Sequence, residues 1–388
     1  PLRVSNRPRA TRRSAEIRHD QFVRFWRGQC LARPGEMAVN SVYLHGAGAV
    51  SPAGWGLPAL YAALDAGAPL PTQELQRPGR TIPLLTRQTP PPRSRPAFMS
   101  HPRLRRASPI THFAVGAALE ALGDESTACP ARGRLGLIWC AMIGCTAYSC
   151  RLYKEVLDDP KTASPMIFPE TVFNAPLSHM AALLGTEMES CTLLGDDGVF
   201  LHALALAGAW LLGGKVDSCL VIASDETDWI PSEGLSIFGD RAPRADGAGV
   251  IYLKAGPPPK SEVTLRSVTD PWNFVGPRTR KSQVARMRSQ LPAGNANDWL
   301  FSSIGGFPSN DDAEICAWSN WPGRRIDAQK ILGHGHATLA AWQCAAAYEA
   351  IRRRACTAAA ISVVGVNEQA VGAWLEATPS ITCTRESL

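Results

Sequence analysis

Four residues, Gly195, Asp196, Asp197 and Gly198, stand between the short run SCTLL (Ser190 to Leu194) and the long apolar run VFLHALALAGAWLL. The spacing predicts a buried strand, a sharp turn and a long buried helix. A turn of this kind lifts its tip residue into a cleft and sets it beside the free N–H groups of a helix N-terminus. Acyl-transfer enzymes hold a nucleophile in that place. Here the tip carries glycine and two carboxylates. Read locally, Asp196 or Asp197 is an N-cap, accepting an orphan N–H and facing the positive end of the helix dipole. The competing reading is a catalytic aspartate.

No thiol stands at the tip. Cys191 is the nearest in sequence, but it lies inside the predicted strand and is expected to point into the sheet as a core residue. The eleven cysteines are scattered without metal-ligand spacing. Cys140, Cys145 and Cys150 are the closest set, and no histidine is near them in sequence. Their odd number and apolar neighbours (LIWCAM, SCLVIA, AWQCAAA) point to reduced, buried thiols in a cytoplasmic protein. Neither a metal nor a cofactor is expected.

The elements that would position this turn alternate along the chain. VYLHGAGAVSPAGWGLPALYAALDAG reads as a strand, a glycine turn and an amphipathic helix. Its Gly46 and Gly48 lack the third glycine of a dinucleotide fingerprint, and Pro52 interrupts the spacing. Residues 69–106 are rich in proline and arginine and read as a surface connection. PITHFAVGAALEALGDE is helical, with Pro109 near its start, and RLGLIWCAMIGC is a buried strand. VDSCLVIAS and GAGVIYLKA are two further apolar strands. The second half repeats the scheme with the strand and turn WLFSSIGG, the helix ATLAAWQCAAAYEAIRRR and the closing strand AAAISVVGV. Buried strands alternating with long helices predict α/β layers around a mostly parallel sheet, and the repetition suggests internal duplication.

With 388 residues and 45% hydrophobic composition, the chain can bury a large core. It contains no unbroken apolar run of the ~20 residues that a membrane helix needs. The net charge of +6 comes from clustered arginines, nine in the first 36 residues and eight between Arg77 and Arg106. Such clusters suit an acidic partner. Nucleic acid is not expected, because interleaved aromatics and any recognised motif are missing. Residues 1–36 are expected to form a disordered tail.

Taken together, these stretches resemble the β-ketoacyl-ACP synthases of the thiolase fold, over nearly all of residues 39–376. The opening strand with G-x-G-x-V-S-P-x-G and a helix ending in L-x-A-G, the PRLRRASPITHFAVGAALEAL segment, the run Ser309, Asn310, Asp311, Ala313 and Glu314, and the loop LGHGHATLAA match that family's motifs in order. The resemblance implies an internally duplicated, five-layer αβαβα architecture with mostly parallel mixed sheets. Its halves would span 37–255 and 256–388.

The resemblance also implies a degenerate active site. The family's nucleophilic cysteine falls on Gly195, Asp196 or Asp197, in a register open by two residues. Ser303 replaces the first family histidine. The second is His336, with His334 the competing assignment, and the upstream lysine is Lys330. Gly365 and Asn367 are remnants of a glycine-rich gating loop. Claisen condensation needs a thiolate to carry the acyl chain and imidazoles to polarise carbonyl and carboxylate. The chain is therefore expected to be a chain-length-factor-like subunit, inactive alone, with these positions vestigial.

Expected partners are an active ketosynthase, or a second copy of the chain, and acyl carrier protein. Carrier docking is expected on arginines of 93–106 and 278–288. Met142, Ile143, Phe168, Phe173 and Trp210 are candidate tunnel residues, with core packing as their alternative role. The other functional expectation is an active acyltransferase, hydrolase or decarboxylase using Asp196 or Asp197 with His336 as an acid–base pair.

Overall fold

A computed structural model describes residues 41–126, 133–185, 189–237, 242–255 and 263–378. The predicted tail 1–36 lies outside the described residues, as does the stretch 256–262 beside the expected boundary between the halves. The strands are β1 Val42–Ser51, β2 Gly54–Trp55, β3 Gln73–Leu75, β4 Leu84–Arg87, β5 Leu135–Ala141, β6 Ser190–Leu194, β7 Ser218–Asp225, β8 Arg244–Ala245, β9 Gly247–Ala255, β10 Val263–Val268, β11 Trp272–Asn273, β12 Trp299–Ser302, β13 Arg324–Asp327, β14 Ala358–Val364 and β15 Gln369–Ala377. The α-helices are α1 Leu57–Ala66, α2 Pro109–Leu122, α3 Thr146–Asp158, α4 Ala175–Leu184, α5 Val199–Leu212, α6 Trp229–Ile237, α7 Gly276–Ser289, α8 Pro308–Ala317, α9 Ala328–Leu332 and α10 Ala337–Arg352.

The long strands follow one hydrogen-bonded path, β13-β12-β14-β15-β10-β1-β9-β7-β5-β6. Cut between β10 and β1, the path separates into two groups with the same plan. In each, the second strand lies between the third and fourth, parallel to both. The fifth strand returns antiparallel between the fourth and the first. Four of the five strands in each group therefore point the same way. The groups meet through two residue pairs, Val42 with Leu265 and Tyr43 with Thr264. The duplication expected from the sequence is thus present in the topology.

In both groups the crossover from third to fourth strand is a buried helix, α5 in one and α10 in the other. Both are apolar on nearly every side, as helices enclosed by two sheets must be. One core cluster joins α5 and α10 to strands of both groups. A second packs α2 and α4 on β5, β7 and β9. A third packs α7 and α8 on β12, β14 and β15. The layers are therefore helix, sheet, helix, sheet, helix.

Two local expectations are corrected. Gly46 and Gly48 lie within β1, not in a turn, because the backbone of α2 rests directly on them. A Cβ at either would come within 2.0 Å of a carbonyl oxygen, of Ala121 and Ala117 respectively. Strand β6 is half-exposed, not buried, because it stands at the end of the sheet and pairs only with β5. Among the described residues, no helix is long and apolar enough to cross a membrane.

Candidate functional site

The site is built where α5 and α10 begin. Strand β6 ends at Leu194, and the N–H of Gly195 donates to Ala141 O of β5 at 3.3 Å. The turn then brings Gly198 against β15 so closely that a Cβ would lie 2.2 Å from Val371. Gly198, not an aspartate, holds the N-cap position, and no side chain caps α5. Backbone carbonyls already serve the first turn, with Val199 N donating to Asp196 O at 2.8 Å and Leu201 N to Gly198 O at 3.0 Å. The N-cap reading of Asp196 and Asp197 is therefore corrected: both carboxylates reach across to the other half of the molecule.

Asp197 Oδ1 accepts from His334 Nε2 at 2.9 Å, and His334 Nδ1 accepts from Arg244 Nη1 at 3.1 Å. A guanidinium can only donate, so this contact fixes the tautomer, with the proton on Nε2. Asp197 Oδ2 accepts the Val366 N–H at 3.2 Å, and Asp196 Oδ1 accepts the Asn367 N–H at 3.0 Å. Burial pushes both carboxyls up to about 7, and for Asp196 the adjacent Asp197 adds to the shift. Burial holds His334 well below the ordinary imidazole range, with Arg244 acting in the same direction.

His336 packs its ring 4.5 Å from that of His334, centroid to centroid. It begins α10 at φ 54 and ψ −132, a region that L side chains rarely adopt and that costs about 1–3 kcal/mol. Its Nδ1 has no hydrogen-bond partner among the described residues. Burial, then His334 and Arg244, keep this imidazole neutral as well. The edge of Phe307 covers His334 at 5.0 Å.

Donor atoms of Asp197, His334 and His336 lie within 4.8 Å of one another, close enough to suggest a cation. The chemistry of the set argues otherwise. Ligation through His334 Nε2 would displace the proton there while Arg244 continues to donate to Nδ1, leaving a doubly deprotonated ring. Arg244 already supplies positive charge beside Asp197, and a second cation in this buried place would be repelled.

Ser303 is absorbed into the framework. Its Oγ donates to Glu314 Oε2 at 2.7 Å and accepts from Val364 N at 3.0 Å, and its own N–H donates to Glu314 Oε1 at 3.2 Å. Lys330 does not join the cluster. It is exposed, and its backbone ties the loop through Lys330 N to Ile304 O and Arg87 Nη1 to Lys330 O. Gly365 does join it: a Cβ there would fall 2.0 Å from Asp196 Oδ2. The structure thus brings together Asp196, Asp197, His334, His336, Gly365 and Asn367.

Sequence reasoning missed Arg244 and Asp225. Asp225 accepts from the N–H groups of Met142, Ile143 and Gly144 and from Ala337 N at the start of α10. A carboxylate closing an otherwise apolar strand was the available signal for Asp225. Arg244, in a short polar loop, gave none. The cysteines of β5, β6 and β7 and Cys145 after β5 are not activated: burial raises Cys140, Cys145, Cys191 and Cys219, Cys145 to about 12. The site is thus built around an aspartate–histidine–arginine chain, Asp197, His334 and Arg244.

No protein-family model and no curated protein sequence matches the chain. Solved structures do. The ishigamide ketosynthase/chain length factor is 17% identical with a TM-score of 0.72, covering 87% of this chain and 100% of that one. The ketosynthase ApeO in complex with its chain length factor ApeC, from Xenorhabdus doucetiae, is 13% identical with a TM-score of 0.73, covering 90% and 100%. The complex AntDE:AntF, a type II PKS acyl-carrier protein with its ketosynthase bound to the hexaketide, is 14% identical with a TM-score of 0.71, covering 88% and 100%. The chain therefore has the thiolase-like fold of the ketosynthases.

Proposed function

We propose that the chain is a non-catalytic ketosynthase-like subunit that pairs with an active ketosynthase and helps shape its acyl tunnel. It would act as a chain-length factor does, in type II polyketide, aryl-polyene or fatty-acid-like biosynthesis. The observation that carries this reading is the state of the turn before α5. The residues at the nucleophile's place are buried carboxylates already bonded to His334, Val366 and Asn367. A carboxylate so engaged cannot replace a thiolate as acyl carrier.

Strand β6 supports the pairing. It is an uncharged edge strand, SCTLL, whose outer backbone is open to a strand of another chain. From β5, beside its end, the chain passes into a segment that exposes Tyr153, Leu157, Met166, Phe168 and Phe173. Phe168 and Phe173 therefore suit a surface shared with a partner, whereas Trp210 is buried in the core.

Acyl carrier protein is the second partner in this reading. Arg93, Arg95, Arg103, Arg105 and Arg106 are exposed. The 278–288 cluster is mostly spent internally. Arg280 lies over Phe274, Arg286 over Trp272 and Arg288 over Trp318, and Lys281 pairs with Asp312. Docking is thus assigned to 93–106.

The Asp197–His334 contact favours a second reading, a hydrolase or decarboxylase, in which His334 takes the role expected of His336. Its weakness is that both ring nitrogens of His334 are already bonded, Nε2 to Asp197 and Nδ1 to Arg244. One experiment separates the two. Co-expressed with an active ketosynthase, the chain should co-purify as a stable heterodimer and, by intact mass, remain unacylated while the partner is loaded from carrier protein. An acyl adduct on this chain overturns the proposal, as does a failure to associate.

A further inference from the structure

The hairpin between β14 and β15 closes with Gly365 N donating to Gln369 O at 2.8 Å. Its own half of the molecule holds the base: Asn310 Nδ2 donates to Val364 O and Gly365 O, Phe274 N to Glu368 O, and Gly276 N to Glu368 Oε1. Asp196 and Asp197, from the other half, hold the tip.

Two neighbouring backbone N–H groups, Val366 and Asn367, point at two neighbouring carboxylates at 3.2 and 3.0 Å. Gly365 presses its Cα face on Asp196 so closely that even a methyl group would overlap the carboxylate. Asp197 is itself moored on its other oxygen by His334, which Arg244 backs. The turn before α5, the loop before α10 and the hairpin tip thus converge on one pair of side chains, both nine-tenths or more buried.

We propose that Asp196 and Asp197 are a latch, holding the 365–368 hairpin tip against the turn before α5 and so keeping the cleft shut. At the place where an acyl enzyme would need access, these residues act as anchors, and closure is the resting state of the chain. The latch bears on the same site as the functional reading but does not depend on the pairing. It is tested on the full chain by backbone exchange, so the failure of one leaves the other standing.

The test is hydrogen exchange read residue by residue in the wild type, Asp196→Ala, Gly365→Ala and the double variant. Asp196→Ala removes the acceptor of Asn367 N–H. Gly365→Ala keeps every acceptor but drives a methyl group into the carboxylate. Each single change should speed exchange at Val366 and Asn367 at least about 10-fold while Ile361 in β14 and Ala373 in β15 keep their protection. In the double variant the methyl group has room, so adding Gly365→Ala should cause no further loss of stability. Unchanged exchange at 366 and 367, or an equal rise throughout β14 and β15, overturns the latch. If Asp196→Ala does not fold, Gly365→Ala decides alone.

Discussion

The turns that open α5 and α10 occupy equivalent places in the two halves and carry opposite chemistry. Each leads into the buried helix that crosses from third to fourth strand. One offers Asp196 and Asp197, the other His334 and His336, and the two sets meet across the middle of the molecule at the 2.9 Å bond between Asp197 and His334. The neighbouring strand ends, by contrast, are alike. After β5, three backbone N–H groups are gathered by Asp225; at the end of β12, Ser303 is gathered by Glu314. In both halves a buried carboxylate from a nearby element accepts hydrogen bonds from the polar groups that follow a strand. A duplicated framework can thus close equivalent places in its two halves with different residues, provided that each buried donor or acceptor finds an internal partner.

The sharpest way to break this comparison is to remove the charge that lets the two turns coexist. Arg244 is 3% exposed and donates to His334 on the side opposite Asp197. In Arg244→Met the acceptor Nδ1 and the aspartate both lose their cation in a buried setting, which typically costs about 3–5 kcal/mol. Urea unfolding should register a loss of that size. A loss under about 1 kcal/mol would mean that the two turns are held together by packing alone.

The two ends of the sheet sharpen the contrast. Edge strand β13 (RRID) is charged and covered: Arg324 pairs with Asp65 at 2.7 Å and lies over Trp299, while Trp321 Nε1 donates to Arg324 O at 3.2 Å. Edge strand β6 (SCTLL) is itself uncharged, and among the described residues the ion pair nearest it is Glu189 with Lys215, just before its start. Exposed edges are normally blunted by charge to prevent pairing with other chains, so on the proposed pairing the partner would add at the unblunted end. Placing lysines on β6, as Thr192→Lys with Leu194→Lys, should weaken association with the partner ketosynthase about 100-fold or more. The matching change on β13, Arg324→Thr with Arg325→Leu, should alter it by less than about 2-fold. Sedimentation of the mixed subunits reads both.

Periodicity made the strands and buried helices legible, because a helix enclosed by two sheets must be apolar almost all round and α5 and α10 are. The order of the strands was not legible, since nothing in a strand's own residues names its neighbour. That is why β6 read as buried from its composition and emerged as an edge. At the site, the residue types at the turn were visible but their partners were not. Asp197 reaches His334 across 137 positions of sequence and Val366 across 169. Local reasoning could only offer the nearest N–H groups, which the backbone had already taken. The resemblance implied His336, with His334 as the alternative; both lie in the cluster, and His334 makes the bond to Asp197.

The smallest effect concerns pH, and it too divides the halves unequally. Burial pushes Asp196, Asp197, Asp225 and Glu226 up to about 7 and Asp246 to about 6, all in the strand group containing β6. In the other group, burial raises Glu314 to about 7. Each of these carboxyls is more easily protonated folded than unfolded. Between about pH 4 and pH 7 the native state therefore binds more protons, and stability falls as pH rises through that window. Glu125, beside Lys254 and Tyr252, and Glu349, beside Arg352 and Arg353, are held below the usual range against the pull of burial. Their contribution is present above the unfolded value and is lost as pH falls through the folded one. Four histidines, His45, His202, His334 and His336, are lowered by burial and oppose the carboxyls below about pH 6.5, so the decline is clearest above it, with the thermal midpoint dropping by several degrees from about pH 6.5 to about pH 8. Because six of the eight carboxyls raised among the described residues, Glu120 included and Asp311 and Glu314 excepted, belong to one half, Glu314→Gln should leave most of that slope in place, whereas Asp225→Asn combined with Asp197→Asn should flatten it visibly. A midpoint that climbs steadily to pH 8 in the wild type would show that the N–H donors around Asp196, Asp197 and Asp225 outweigh burial. The carboxylate half would then be held by its charges in the same way as the imidazole half is held by Arg244.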